Sequence, residues 1–275
     1  MKQGPVFLAL LFLTSFYSGC LSFDNDESMT VRLATTTSMR DSGLLDLLID
    51  DFQKTSPYTV EYVAVGTGAA LVLGENKDVD ALIVHAPEQE LEFVENGFGD
   101  DSSAIAWNRF VLLAPTGYNS SIFDAFESIY EDESCFISRG DFSGTHHKEQ
   151  SIWRSLNQTN DVPMVEDADG YHPEGDWYYS IGQGMGAAIN MADEKSCSTL
   201  SDRGTALNFA QQTSLQRTDF SDEILFNPYS FIFVSDMERQ GAEAFLNFLL
   251  NDGQQRIEDY TINDEPAFFT VDSID

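Results

Sequence analysis

Three short β-patterned runs in this chain give way to helices through turns built of Gly, Ser and Thr, and this repeated junction limits the fold more than any other feature. The first run, Val31 to Ala34, passes into Thr35-Thr36-Thr37-Ser38. Asp41-Ser42-Gly43 then opens a helix with apolar positions Leu44, Leu45, Leu48, Ile49 and Phe52, capped by Asp41 or Ser42. The second run, Val60 to Val65, enters Gly66-Thr67-Gly68 before another helix. The third, Cys135 to Ser138, enters Arg139-Gly140-Asp141-Phe142-Ser143-Gly144-Thr145, and Ile152, Trp153 and Leu156 give the following helix its buried face. A helix start carries free N–H groups and a positive dipole end, so each junction suits a small anion without metal or cofactor. In open α/β sheets ligands sit beyond the carboxyl ends of the strands, so the three turns are expected to converge on one cleft.

Between these junctions, short apolar runs alternate with helical periodicity, which signals α/β layering. Asp80 to Val84 is a strand ending in His85-Ala86-Pro87, followed by a helix over Glu88 to Asn96. Asn108 to Ala114 is the next strand, and Pro115-Thr116-Gly117 begins a crossing into a second lobe. There a helix carries Ile122, Phe126, Ile129 and Tyr130. Asn157 to Asp176 is polar and lacks periodicity, and reads as an inserted rim loop. Gly182 to Gly186 enters a helix, Thr199-Leu200 is a short strand, and Ser201 to Thr205 opens a further helix. Phe226 to Val234 returns the chain, and a helix with Ala242, Phe245, Leu246 and Leu249 closes the first lobe. The expected division is 30–113 plus 233–275 for lobe 1 and 114–232 for lobe 2.

Charge narrows the partners. Lys+Arg 14 against Asp+Glu 46 gives 14 − 46 = −32, with a pI near 4.1, and the acids are spread along the whole chain. Nucleic acid is therefore excluded as an expected partner, because phosphate contacts need Lys and Arg in number. Such an acidic shell fits molar salt, where the screening length shrinks to about 3 Å. Residues 1–19 read as a signal peptide, with an apolar run from Val6 to Tyr17 too short to span a bilayer. Ser18-Gly19-Cys20 looks like a lipoprotein box, with Cys20 as the lipidated first mature residue and 20–29 as a tether. The chain is then expected at the outer face of the cell membrane. Outside the cell Cys135 and Cys197 are free to pair, but neither spacing nor motif decides between a disulfide and two buried thiols.

Two other chemistries fit poorly. Ser143 with His146 or His147 resembles part of a hydrolase, yet the chain has no G-x-S-x-G elbow, and nucleophile and base on one helix start make a poor attack geometry. The histidines His85, His146, His147 and His172 are not expected to hold a metal, since adjacent residues on a helix diverge and no cysteine cluster supports them. They read as rim or supporting groups.

The motifs TTTSMRDSGLLDLL (35–48), VAVGTGAAL (63–71), DALIVHAPEQE (80–90), NRF (108–110), SRGDFSGTHHKE (138–149), GQGMG (182–186), LSDRGTAL (200–207) and NPYSFI (227–232) follow one another along nearly the whole mature chain. Together they resemble the tungstate-binding proteins of ABC transporters. The resemblance implies a type II periplasmic-binding-protein fold, two α/β lobes with two crossover segments closing over an oxyanion, and no cofactor. By matching positions it implies ligands at Thr36, Thr37 and Ser38, at Gly66, Thr67 and Gly68, and at Ser138, Arg139, Ser143, Gly144 and Thr145. It also implies a monomer that delivers the anion to a membrane permease with a cytoplasmic ATPase. Met39 and Phe142 depart from the family pattern.

Tungstate and molybdate are tetrahedral dianions that only accept hydrogen bonds, so a suitable site offers N–H, O–H and guanidinium donors alone. Phosphate is the rival ligand: it carries a proton and welcomes one carboxylate. Asp141 decides between them. A carboxylate aimed into the cleft favours phosphate, and one paired with an amide or a cation favours tungstate.

Overall fold

A computed structural model describes residues 29–274; the leader, Cys20 and the tether up to Ser28 lie outside the described residues. The chain starts with β1 (Thr30–Thr36), α1 (Thr37–Ser42), α2 (Leu44–Thr55), β2 (Thr59–Val65), α3 (Thr67–Glu75), β3 (Ala81–Val84), α4 (Pro87–Glu95) and the long β4 (Gly99–Ala114). It continues through α5 (Ile122–Glu131), β5 (Phe136–Ser138), α6 (Gly144–Asn160), the hairpin β6 (Met164–Asp167) and β7 (Gly170–Pro173), β8 (Tyr178–Ser180), α7 (Met185–Lys195), β9 (Thr199–Asp202) and α8 (Arg203–Phe209). It goes on through β10 (Gln216–Thr218), β11 (Phe226–Val234), α9 (Gln240–Leu250) and α10 (Asp252–Glu258) to the short paired strands β12 (Thr261–Ile262) and β13 (Glu265–Pro266).

A seven-stranded sheet runs β10-β4-β11-β3-β1-β2, with β9 also on β4. β1 is parallel to β2 and β3, whereas β11 is antiparallel to β3 and β4. Side chains alternate across this sheet. Leu33, Ala81, Ile83, Phe231 and Phe233 face α2, α9 and α10, while Ala34, Leu82, Val84, Ile232 and Val234 face α3 and α4. Both faces are covered, which is why the strands read as unbroken apolar runs. β4 joins the lobes: its residues from Gly99 to Arg109 pair with β11, and those from Phe110 onward pair with β9 and β10. Beyond the exchange Phe110 and Leu112 pack with Phe126, Phe136 and Trp153, while Val111 and Leu113 pack with Ile137, Ile189 and Cys197. The fold is thus the two-lobed α/β arrangement with two crossovers, β4 outward and the path into β11 back.

Three local expectations are corrected. The expected helix with Leu44, Leu45 and Leu48 is α2, but its cap residue is Gly43, at φ 79°, rather than Asp41 or Ser42, and a short unexpected helix, α1, capped by Thr36, precedes it. The region 157–176 is not a structureless loop: α6 continues to Asn160, and Met164–Asp167 pairs with Gly170–Pro173. Its strands are mostly half-exposed, so no apolar alternation marks them. Third, β4 begins nine residues before Asn108 (108 − 99), in an acidic serine stretch that pairing with β11 holds extended. Cys135 and Cys197 form a disulfide with Cα atoms 4.6 Å apart, tying the start of β5 to the end of α7.

Candidate functional site

The first turn closes over itself. Thr36, in extended backbone at the end of β1, accepts the Met39 N–H at 3.3 Å through its hydroxyl, and that hydroxyl lies 3.0 Å from Ser38 Oγ. Ser38 Oγ bonds His85 Nε2 at 2.9 Å, and His85 Nδ1 bonds Asn227 Oδ1 at 2.8 Å. Thr36 and Ser38 are buried, and Thr37 is half-buried.

The second turn is open. Gly66 precedes α3 with no side-chain cap, so the first N–H groups of that helix have no local side-chain acceptor. A Cβ at Gly66 or Gly68 would meet nothing within 4 Å, so neither glycine is there to fit a protein neighbour. Thr67 is buried, and its hydroxyl has no protein partner.

In the third turn Ser143 caps α6 with a long 3.5 Å bond from the His146 N–H. Gly140 and Phe142 take left-handed backbone at φ 60° and 53°, which bends the loop back on itself. Arg139, 5% exposed, donates from Nη2 to Asp141 Oδ2 at 2.5 Å, and the other Asp141 oxygen accepts the Ser143 N–H at 3.2 Å. Both oxygens of Asp141 are therefore engaged. Arg139 Nε and Thr145 Oγ1 are buried without protein partners. Ser138 is buried, and its hydroxyl accepts the Gly140 N–H at 3.3 Å.

The first and third turns meet at His85. A Cβ at Gly144 would stand 3.2 Å from His85 Cε1 and 3.3 Å from its carbonyl oxygen, so only glycine lets the α6 start press onto β3's end. Gly68, Phe142 and His147 line one cavity of about 400 Å³, together with Glu75 and Glu92. A neighbouring cavity of about 310 Å³ lies between α4 and α6 and is lined by His85, Glu88, Gly144, His147 and Lys148. Burial lowers the pKa of His85, holds the His146 imidazole down at about 4, and lowers His147 and Lys148. His146 is thus neutral and accepts the Phe142 N–H at Nδ1. Arg139 supplies the full positive charge of the third turn.

Sequence reasoning named His85 only as a rim or supporting group, and did not single out Asn108, Asn227, Asp202 or Tyr229. Asn227 Nδ2 donates to Asn108 Oδ1 at 2.7 Å, and Tyr229 stacks on His85 with ring centres 4.7 Å apart. Asp202 caps α8 through Oδ1, and its buried Oδ2 has no protein partner. The available signal was position: His85 follows its strand as Thr37 and Gly66 follow theirs.

Fold and cleft together define an extracytoplasmic-type solute-binding protein, two α/β lobes with helix starts from both facing one gap. A profile of the PBP superfamily domain matches residues 24–253. The tungstate-binding protein TupA of Peptoclostridium acidaminophilum is 35% identical over 273 residues, covering 92% of this chain and 91% of that protein. The solved tungstate-binding protein TupA from Desulfovibrio alaskensis superposes with TM-score 0.73 at 33% identity, covering 88% and 98% of the two chains. The solved tungstate ABC transporter protein from Geobacter sulfurreducens gives 0.70 at 36%, covering 84% and 98%. The chain belongs to the PBP superfamily and, within it, to the family of the TupA tungstate-binding proteins.

Proposed function

We propose that this chain captures tungstate between its lobes outside the cytoplasm and hands it to an ABC permease driven by a cytoplasmic ATPase. Its TupA relatives are named for tungstate binding, a binding and not a catalytic role. The proposed site consists of Thr36, Thr37 and Ser38, of Gly66, Thr67 and Gly68, and of Ser138, Arg139, Ser143, Gly144 and Thr145. Within it Ser138 holds the Gly140 turn, and the others offer hydroxyl, amide or guanidinium donors. The observation that carries the reading is Asp141: with Arg139 on one oxygen and the Ser143 amide on the other, the third turn offers an anion no spare carboxylate. That favours a fully deprotonated dianion over hydrogen phosphate. Thr67 Oγ1, Arg139 Nε and Thr145 Oγ1, one or more from each lobe, remain as unused buried donors.

Magnitudes allow it. Charge-assisted hydrogen bonds contribute roughly 1.5 to 3 kcal/mol each, so six or seven give about 9 to 21 kcal/mol gross. Nanomolar affinity needs about 12 kcal/mol net of ordering costs. The exchange of partners along β4 falls between Arg109 and Phe110, and β11 pairs with first-lobe strands from Phe226 onward; lobe boundaries at 30–113 plus 233–275 and 114–232 belong to this proposal. So do lipid attachment at Cys20 and a monomeric state. Titration calorimetry with tungstate, molybdate, sulfate and phosphate in one buffer of molar salt tests the reading. The expected result is tight binding of tungstate that millimolar phosphate does not displace; displacement by phosphate would reverse the ligand assignment.

A further inference from the structure

The hydrogen bonds running inward from the first turn have a direction that a backbone carbonyl sets. Asn108 Nδ2 lies 3.4 Å from the Ala267 carbonyl oxygen, which can only accept, so the Asn108 amide is oriented with its own oxygen toward Asn227. Asn227 therefore donates from Nδ2 to Asn108 Oδ1 and presents its oxygen to His85. His85 must carry its proton on Nδ1 to donate there, which leaves Nε2 as an acceptor. Ser38 then gives its single hydroxyl proton to Nε2, and Thr36, 3.0 Å away and already accepting the Met39 amide, gives its own to Ser38. Both hydroxyls of the first turn thus point their protons into the protein, away from the cleft they are expected to serve.

We propose that His85 is a proton-coupled positioning residue: when the oxyanion enters, Nε2 takes one proton from solvent, donates to Ser38 Oγ, and so releases one hydroxyl proton of the Thr36–Ser38 pair to the anion. The step balances as one proton gained from buffer, with no bond between heavy atoms made or broken. It places a positive imidazolium behind the first turn, opposite the arriving dianion. His85 suits the role because its surroundings keep it neutral beforehand. Phe110 and Tyr229 flank the ring, Gly144 covers its edge, and burial is the largest influence on it. Arg139 from the third turn and Lys148 from α6 also disfavour the cation, while Asp202 at the end of β9 favours it. A dianion adds two attracting charges, one of which offsets the opposing charge of Arg139, so binding and protonation favour each other reciprocally.

This inference rests on the tungstate reading, and the experiment separates the two. Tungstate is titrated calorimetrically into the wild-type protein at about pH 7 in molar KCl, in buffers that differ in ionisation enthalpy. Expected is a net uptake approaching about one proton per tungstate, falling as pH drops below the free-state pKa of His85. His85→Gln, whose amide N–H donates to Ser38 without a proton, is expected to bind with no net uptake and with affinity independent of pH between about 6 and 8. Imidazole 15N shifts of the wild-type protein give a readout independent of any variant's folding: Nε2 of His85 should pass from acceptor to protonated donor on saturation. Tight binding with no proton uptake overturns the inference alone. Uptake that persists unchanged in His85→Gln overturns it too, since the proton then arrives on the anion. Wild-type protein that does not bind tungstate at all removes the functional reading and this inference with it.

Discussion

Arg139 is the residue on which a dianion site of this kind turns, because its guanidinium is buried and already oriented by Asp141. With Nη2 held by the carboxylate, Nε is left as an unused donor, so the fork is fixed before any ligand arrives. Arg139→Ala removes the charge and one or two charge-assisted bonds, about 1.5 to 6 kcal/mol, and should weaken tungstate affinity by roughly 10 to 10⁴ while the circular dichroism spectrum stays unchanged. An affinity within a few-fold of wild type would place the anion elsewhere. Glu149, on α6 beyond the same turn, gives a second residue-scale prediction. It is buried, accepts from the Tyr178 hydroxyl at 2.6 Å and from Trp153 Nε1 at 3.3 Å, and burial pushes its pKa up to about 7. A carboxyl raised on folding binds its proton more tightly in the folded state, so stability is full at low pH and falls as pH rises from the ordinary glutamate range through about 7. Glu149→Gln keeps the accepting oxygen without the charge. Denaturant titrations should show it more stable than wild type by up to about 3 kcal/mol above pH 8 and nearly equal near pH 4; equal stability at both would refute the buried-charge account. Residue identity in the three turns was legible because Gly, Ser and Thr at strand ends carry a local signal. Pairing of Asp141 with a neighbouring cation or amide was legible as one of two outcomes, since Arg139 and Ser143 lie two residues to either side; the partners of His85 were not, because bonds to Asn227 and Ser38 depend on how distant strands and turns are brought together.

At the scale of elements, the strands buried on both faces were readable as apolar runs, and helices with one apolar stripe, such as α2 and α5, were readable by period. The last turn of α6, Asn157 to Asn160, was not. Its residues are polar, and Thr159 donates to the Ser155 carbonyl four residues back, so that turn looks like loop in sequence. The disulfide was equally hidden, since pairing depends on β5 and the end of α7 meeting in space. It joins positions 62 apart and adds a covalent tie beside the hydrogen bond from the Ser198 N–H to the Cys135 carbonyl. A closed loop of that length restricts the unfolded chain by about 4 kcal/mol in the entropy model. Replacing both cysteines by serine should lower unfolding free energy by about that amount, with the loss seen as a shifted denaturant midpoint. Since β5 leads directly into Arg139, the same variant should also bind tungstate more weakly. A midpoint unchanged from wild type would mean that the second lobe holds β5 in place without the bond.

For the whole molecule the net charge of −32 sets the conditions in which the fold and the cleft work. Many cations are already matched: Arg32 with Asp80, Lys77 with Asp236, Arg217 with Glu265 and Arg239 with Asp100. The exposed pairs among them, Lys77 with Asp236 and Arg239 with Asp100, contribute about 0 to 1 kcal/mol each, so salt that screens them costs little. The unmatched acids are far more numerous, and their mutual repulsion acts on the compact state across distances that the screening length governs, about 10 Å at 0.1 M and about 3 Å at 1 M. Salt should therefore stabilise this protein where it would leave a balanced one unmoved. If screening restores about 4 kcal/mol, the melting temperature rises by roughly 8 to 16 °C between dilute buffer and about 1 M KCl, with most of the gain below that concentration. An uncharged osmolyte at equal osmolality separates screening from surface exclusion, and an equal rise with that osmolyte would sink the electrostatic explanation. The same field opposes an approaching dianion, so association of tungstate should quicken as KCl is raised, the reverse of an attraction-steered pair. Dissociation should change less, because Arg139 and the helix starts act at contact distance inside a buried site. Stopped-flow rates across a salt series measure both, and an association rate that falls with salt would show that the local positive turn, rather than the acidic shell, governs the encounter.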